Sequence, residues 1–264
     1  YTCAYYPTPD ATLDEAQENK FRLVFEKMNL KPGDKHLDVG CGWGSMVRYA
    51  ARQGVKSLGV TLSKEQAEWA QAKIKEEGLE DLAEVRFLDY RDVTETGFDG
   101  ISSIGLLEHI GVKNFASYFE FLAGKLRPGG VMVNHCITYP DNHKTPQGDF
   151  INRYIFPDGE LTGSGTIIHE MQDHGFEVFH EENIRFDYMR TLHDWCENLK
   201  ANWDEAVALV GENTAKLWGM YMAGSEWGFE HDVVELHQVV GIKLASDGSR
   251  AGTPERRWWN DSVF

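Results

Sequence analysis

Four cysteines in 264 residues, Cys3, Cys41, Cys136 and Cys196, are too few and too scattered for a disulfide framework or a paired metal pattern. A reducing compartment, the cytoplasm, is therefore expected. Long apolar runs are absent as well. No stretch approaches the about 20 residues that a membrane span requires, so a soluble chain is expected. No basic leader followed by an apolar run opens the sequence. Positive charge is scarce: Lys plus Arg number 26 against 42 Asp plus Glu, a formal net charge of -16. Such a surface repels phosphates, which argues against nucleic acid as substrate, and it opposes approach to an anionic bilayer unless a local patch helps. An initiator methionine is also missing. The chain starts at Tyr1, inside a motif, and a preceding segment is expected.

What is present suits one α/β domain with an insertion. Lys35 to Gly40 reads as a strand ending in glycine, and Met46 to Arg52 as a helix. Val55 to Val60 is a second strand, followed by a helix from Ser63 to Lys75 that Ser63 can cap, with Gln66 three residues on. Glu84 to Leu88, Phe98 to Gly105 and Gly130 to Thr138 read as further strands, with a helix over about Lys113 to Leu126. This alternation predicts a Rossmann-like, doubly wound, mostly parallel sheet. From Tyr139 to Gly165 the pattern breaks into Pro, Gly, Asn and Asp among aromatics, as in an insertion or lid. Beyond it, Ile167 to His174, Thr191 to Trp203 and Asn213 to Gly228 are expected to be helices, and Phe176 to Glu182 and Val233 to Leu244 strands. The domain is thus expected to span 1–244, with 245–264 a polar tail that contains Arg256-Arg257-Trp258-Trp259. Two cations beside two indoles suit a bilayer interface, or else pack on the domain surface.

Asp38-Val-Gly40-Cys-Gly42-Trp-Gly44 places glycines at alternate positions just after a strand, where the backbone turns tightly and a ligand can approach closely. The spacing differs from the dinucleotide fingerprint and resembles motif I of methyltransferases, whose ligand has no pyrophosphate. S-adenosylmethionine is the cofactor this implies. The second strand ends in Thr61, Leu62 and Ser63 with no acidic residue, so Thr61 and Gln66 are expected to share the ribose contacts. Asp89 and Tyr90, after the third strand, are placed to meet adenine, although an Asp there is often only a turn residue.

These segments, together with Tyr1 to Tyr6, Gly105-Leu-Leu-Glu-His-Ile-Gly, His135-Cys-Ile, Tyr154-Ile-Phe-Pro-Asp-Gly and Tyr221, resemble the cyclopropane fatty acid synthase family, which includes the mycolic acid cyclopropane synthases. The resemblance runs in order from Tyr1 to about Lys243. It implies a methyltransferase that adds a one-carbon unit to the cis double bond of an unsaturated acyl lipid, carried by phospholipid or by acyl carrier protein. In that family the alkene attacks the sulfonium methyl, and bicarbonate then removes a proton as the ring closes. The matching bicarbonate contacts here are Glu108, His135 and Tyr221, with Cys3 and Ile137 through their backbones. Ile104 and His109 complete the expected cofactor contacts, with Asp38, Gly40, Gly42, Gly44 and Leu62.

Taken singly, each of these has a plainer reading. Glu108 could be a solvated strand-end residue, His135 a satisfied core histidine, Cys3 a small hydrophobe and Tyr221 helix packing. Thr162-Gly-Ser-Gly165 departs from the Leu-Pro-Ser that many cyclopropane synthases resemble, which keeps a methylene- or methyl-branched product as an alternative. A non-catalytic, cofactor-binding scaffold is the alternative from another class. Peripheral contact with the inner membrane face is compatible with the sequence, and the oligomeric state stays open.

Overall fold

A computed structural model describes residues 2–143, 148–157 and 159–259. Tyr1 of the opening motif, Lys144 to Gln147 of the insertion, Asp158 and the last five residues of the tail lie outside the described residues.

The first helix, α1 (Leu13–Lys27), is an element the pattern above does not include. It starts with a capping box: Thr12 accepts from the Glu15 N–H while the Glu15 side chain accepts from the Thr12 N–H. Its inward face is Ala16, Lys20, Leu23, Val24 and Lys27, which has helical spacing but is lysine at two of five positions. Those lysines hide the helix from an apolar-periodicity reading.

The strands are β1 (Lys35–Val39), β2 (Lys56–Thr61), β3 (Ala83–Phe87), β4 (Phe98–Ile104), β5 (Leu126–Thr138), β6 (Phe176–Asn183) and β7 (Glu235–Lys243). They form one sheet in the order β3-β2-β1-β4-β5-β7-β6. Strands β1 to β5 are parallel, whereas β7 runs antiparallel to both β5 and β6. From β1 the chain winds outward through β2 and β3, then returns to place β4 on the other side of β1. Ligands of such sheets sit at this switch point, beyond the carboxyl ends of the strands.

The remaining helices are α2 (Ser45–Arg52), α3 (Lys64–Glu76), α4 (Phe115–Lys125), α5 (Asp149–Tyr154), α6 (Ser164–Asp173), α7 (Arg185–Ala201), α8 (Trp203–Val210) and α9 (Glu212–Glu230). As expected, Ser63 caps α3 by accepting from the Gln66 N–H at 3.2 Å. Two of the cores lie on either side of the sheet. One joins alternate strand residues to Phe115, Tyr118, Phe119 and Leu122 of α4, and the other joins Val131, Val133 and Val240 to Val24 of α1 and Met46 of α2. Where two helices were expected between β6 and β7 there are three, α7 to α9, and α7 packs along α9.

The tail decides between its two readings. Trp258 stacks on Phe179 with centroids 5.2 Å apart and donates its indole N–H to the Glu26 carbonyl at 2.9 Å, and Trp259 is buried. Both indoles thus pack against the domain surface. The Thr162–Gly165 departure also has a structural reason. A side chain at Gly163 or Gly165 would collide with Asp141 and Asn142, so the glycines let this stretch close on the 139–142 turn at the start of α6. No helix among the described residues is long and apolar enough to cross a membrane.

Candidate functional site

One cavity of about 1460 Å³ opens at the switch point. A single drug-sized pocket occupies about 300–1,000 Å³, so there is room for more than one ligand. Its walls divide by element. From the parallel half come Asp38, Gly40, Gly42, Thr61, Leu62 and Gln66, with Asp89 and Tyr90 after β3 and Ile104 at the end of β4. Opposite in character are aromatic and apolar side chains of α7 and α9, Trp195, Trp218, Tyr221, Met222 and Phe229, with Phe156 from the insertion. Glu108, His109 and Ile137 line the same space.

The glycines of the loop have different tasks. Gly40, Gly42 and Gly44 all have positive φ, which disfavours side chains. A Cβ at Gly42 would meet nothing within 4 Å, because that position faces open cavity. At Gly44, which is not among the cavity walls, a Cβ would lie 2.9 Å from the Ala70 Cβ and 3.2 Å from Val85, so that glycine serves the packing of α3 and β3 against the loop.

Beneath the loop lies a buried polar chain. Strand alternation puts His36 and Asp38 on one face of β1; register sets Ser57 beside His36 and Ser102 beside Asp38. Ser102 Oγ donates to Asp38 Oδ1 at 2.5 Å, His36 Nε2 lies 2.9 Å from Ser102 Oγ, and His36 Nδ1 lies 2.7 Å from Ser57 Oγ. Since Ser102 spends its proton on the carboxylate, His36 must donate from Nε2 and accept at Nδ1 from Ser57. Burial lowers the His36 pKa to about 3, which keeps the ring neutral. Burial also raises the Asp38 carboxyl to about 7, against the opposing pull of Ser102 and Lys20.

Further polar contacts shape the same walls. Thr61 Oγ1 donates to Gln66 Oε1 at 2.9 Å, which makes the Gln66 amide nitrogen its donor end. Asp89 does act as a turn residue, accepting from the Arg91 N–H at 2.9 Å, and the Arg91 guanidinium holds its carboxyl below the usual range. It lines the cavity all the same. Missed by sequence reasoning were Gln17, Lys20 and Phe21 of α1, and Thr2. Lys20 donates to Thr2 Oγ1 at 2.7 Å and to Gln17 Oε1 at 2.6 Å, and burial brings its pKa down to about 8. The Thr12–Glu15 box was the signal available for that helix.

Glu108 sits in a short 3-10 turn after β4 and is buried. Its Oε1 accepts from the Ile137 N–H at 2.7 Å, while Oε2 is buried with no partner among the described residues. Burial raises its carboxyl to about 7, although the Ile137 N–H pulls the other way. The insertion is tied to this turn: the Glu160 N–H donates to the Glu108 carbonyl at 2.9 Å. Rings then connect the turn to α9, from His109 to Phe156 at 5.3 Å, Phe156 to Tyr221 at 5.7 Å and Tyr221 to Trp218 at 5.5 Å. Tyr221 thus lines the same cavity as Glu108 and Ile137. His135 and Cys3 are not among the cavity walls. His135 lies two residues before Ile137 on β5, buried with its Nε2 unpartnered among the described residues, and Cys3 packs in the same apolar cluster as Ile137.

The family model for mycolic acid cyclopropane synthetase matches residues 1–239. A probable fatty acid methyltransferase of Mycobacterium tuberculosis is 59% identical over 260 residues, covering 98% of this chain and 61% of the relative. A cyclopropane-fatty-acyl-phospholipid synthase of Escherichia coli is 35% identical over 253 residues, covering 95% of this chain and 64% of the relative. The chain thus spans less than two thirds of the length of these relatives. Among solved structures, a cyclopropane synthase from Mycobacterium tuberculosis superimposes with a TM-score of 0.85 at 30% identity, covering 91% of this chain and 89% of that one. A mycolic acid cyclopropane synthase complexed with SAH and CTAB gives 0.84 at 31% identity, with coverage of 91% and 89%.

Proposed function

Because the chain belongs to the mycolic acid cyclopropane synthetase family, we propose that it transfers a one-carbon unit from S-adenosylmethionine to the cis double bond of an unsaturated lipid acyl chain, giving a cyclopropane. One observation carries this reading: the glycine-loop wall and the aromatic wall belong to a single cavity, so a nucleoside and an apolar chain can be held in contact.

S-adenosylmethionine, when bound, supplies a methyl group on a cationic sulfur. Gly40 and Gly42 would let its nucleoside reach the backbone, Asp38 would meet its ammonium group, and Thr61 and Gln66 its ribose hydroxyls. Asp89 and Tyr90 would flank the adenine, with Leu62, Ile104 and His109 closing the walls. On the acyl side, Phe156, Trp218 and Tyr221 line the cavity and would exclude water and stabilise positive charge on the chain. A weak, tethered base suits such a charge better than a strong nucleophile. Bicarbonate fits that role because Glu108 Oε2 and His135 Nε2 are buried polar atoms still lacking partners among the described residues. Tyr221 and the backbone of Cys3 would complete its contacts, and Ile137 would do so by sharing the N–H that it donates to Glu108 Oε1.

A second reading, a methyl-branched product after the same first step, is favoured by the name of the 59% identical relative, a probable fatty acid methyltransferase. The test is mass spectrometry of acyl chains after incubation with S-adenosylmethionine and cis-unsaturated phospholipid, with an acyl carrier protein ester in parallel. Chains heavier by one methylene that resist hydrogenation and fragment as a ring are expected. A methylene branch that hydrogenation saturates, or a methyl branch, would replace the cyclopropane reading with the second one.

A further inference from the structure

Behind Ile137, three strands contribute one side chain each to a single row. The antiparallel register sets His135 of β5 opposite Gln238 of β7, and Gln238 opposite Glu182 of β6. The last turn of α1 lays Lys27 against this row. Its buried ammonium donates to Gln238 Oε1 at 2.7 Å and also to Glu182. Gln238 Nε2 lies 3.1 Å from His135 Nδ1, and Lys27, Gln238 and His135 are all buried. The tail closes the outer end, with Lys27 Nζ 5.8 Å from the centroid of the Trp259 ring.

The directions of these bonds follow from what each group can do. An ammonium has only donors, so Gln238 must turn its carbonyl to Lys27 and its amide nitrogen to His135. That nitrogen also only donates. Nδ1 of His135 is therefore the accepting, unprotonated nitrogen, and a neutral ring carries its proton on Nε2. Burial, with the charges of Lys20 and Lys27, holds the ring well below the usual histidine range and so keeps it neutral. The Nε2 that carries the proton is the atom with no partner among the described residues.

We infer that Lys27 and Gln238 are positioning residues that lock His135 as an Nε2–H donor, fixing it as a holder of an oxyanion and excluding it as the base. This rests on the reading of the site as one that takes bicarbonate. A nitrogen that already carries its proton cannot accept another, so His135 Nε2 cannot take the proton that the acyl chain loses. The role of α1 and the tail is then to hold Lys27, and through it the amide, in one orientation.

Two-bond proton–nitrogen correlation spectra of histidine-labelled protein read the tautomer directly, with His135→Gln identifying the signal. The wild-type ring is expected to carry its proton on Nε2. Gln238→Glu keeps the shape and the bond to Lys27 but presents an acceptor to Nδ1, so the proton is expected to move to Nδ1. The bicarbonate concentration for half-maximal turnover should then rise at least roughly tenfold, the cost of about 1.4 kcal/mol of lost donation. Affinity for S-adenosylhomocysteine should be unchanged. A wild-type proton on Nδ1 overturns the inference without any variant, as does a moved proton that leaves the bicarbonate response intact. Failure of the broader reading looks different: no transfer to any unsaturated lipid, with the tautomer still on Nε2.

Discussion

Single residues separate binding from packing most sharply in the glycine loop. Gly42 has φ +52 and open cavity beside it, so Gly42→Val forces a β-branched side chain into a disfavoured backbone region and into ligand space. Loss of S-adenosylhomocysteine binding is expected by calorimetry, with the fold retained. Gly44→Ala should do the reverse, lowering the melting temperature through its clash with Ala70 and Val85 while sparing the cavity wall. Spacing alone treats the glycines alike, because each needs positive φ; only their neighbours distinguish the roles. Glu108 offers a test by pH. Its folded-state carboxyl is raised to about 7 from an ordinary 4.5, so the folded chain binds the proton more tightly and stability falls as pH rises through that window. Glu108→Gln removes this loss. Its melting temperature relative to wild type should rise between pH 5 and pH 8, by up to roughly 3 kcal/mol of stability. A constant difference across that range would mean that the carboxyl is not desolvated. The partner atoms of Glu108 could not be read from sequence, since Ile137 is 29 residues away and meets it only through the β4–β5 pairing.

At the scale of elements, the parallel strands and the capped helix α3 were legible because apolar runs and cap residues are local signals. Helix α1 was not, since two of its five inward positions are lysines whose partners, Thr2, Glu182 and Gln238, come from distant parts of the chain. The antiparallel placement of β7 was equally hidden, because periodicity says nothing of direction. The tail shows a third kind of ambiguity. Trp258 and Trp259 could face a bilayer or the domain, and Phe179, Glu26 and Lys27 decide for the domain. Trp259→Ala should therefore cost about 3 kcal/mol and lower the melting temperature by roughly 5–10 °C, while sedimentation with anionic vesicles stays as weak as for the wild type. A tail variant that keeps its stability and loses vesicle binding would restore the bilayer reading.

For the molecule as a whole, the doubly wound topology gathers residues from Thr2 to Val234 around one cavity at the switch point, and the insertion with α7 and α9 supplies its apolar half. The glycine motif pointed to the wall proposed for the cofactor, whereas the wall proposed for the acyl chain depended on which of many aromatics face inward, a choice that tertiary packing makes. With a net charge of -16, the surface leaves the cavity's own chemistry, not general attraction to phosphates, to select a substrate. The direct test is transfer of labelled methyl carbon from S-adenosylmethionine into cis-unsaturated phospholipid by wild type and Glu108→Gln, with and without added bicarbonate. Label should enter the acyl chain of the unsaturated lipid and not of its saturated counterpart, rise with bicarbonate, and fall by roughly a hundredfold in the variant. Equal labelling of saturated lipid, or full activity in Glu108→Gln without bicarbonate, would contradict the proposed site.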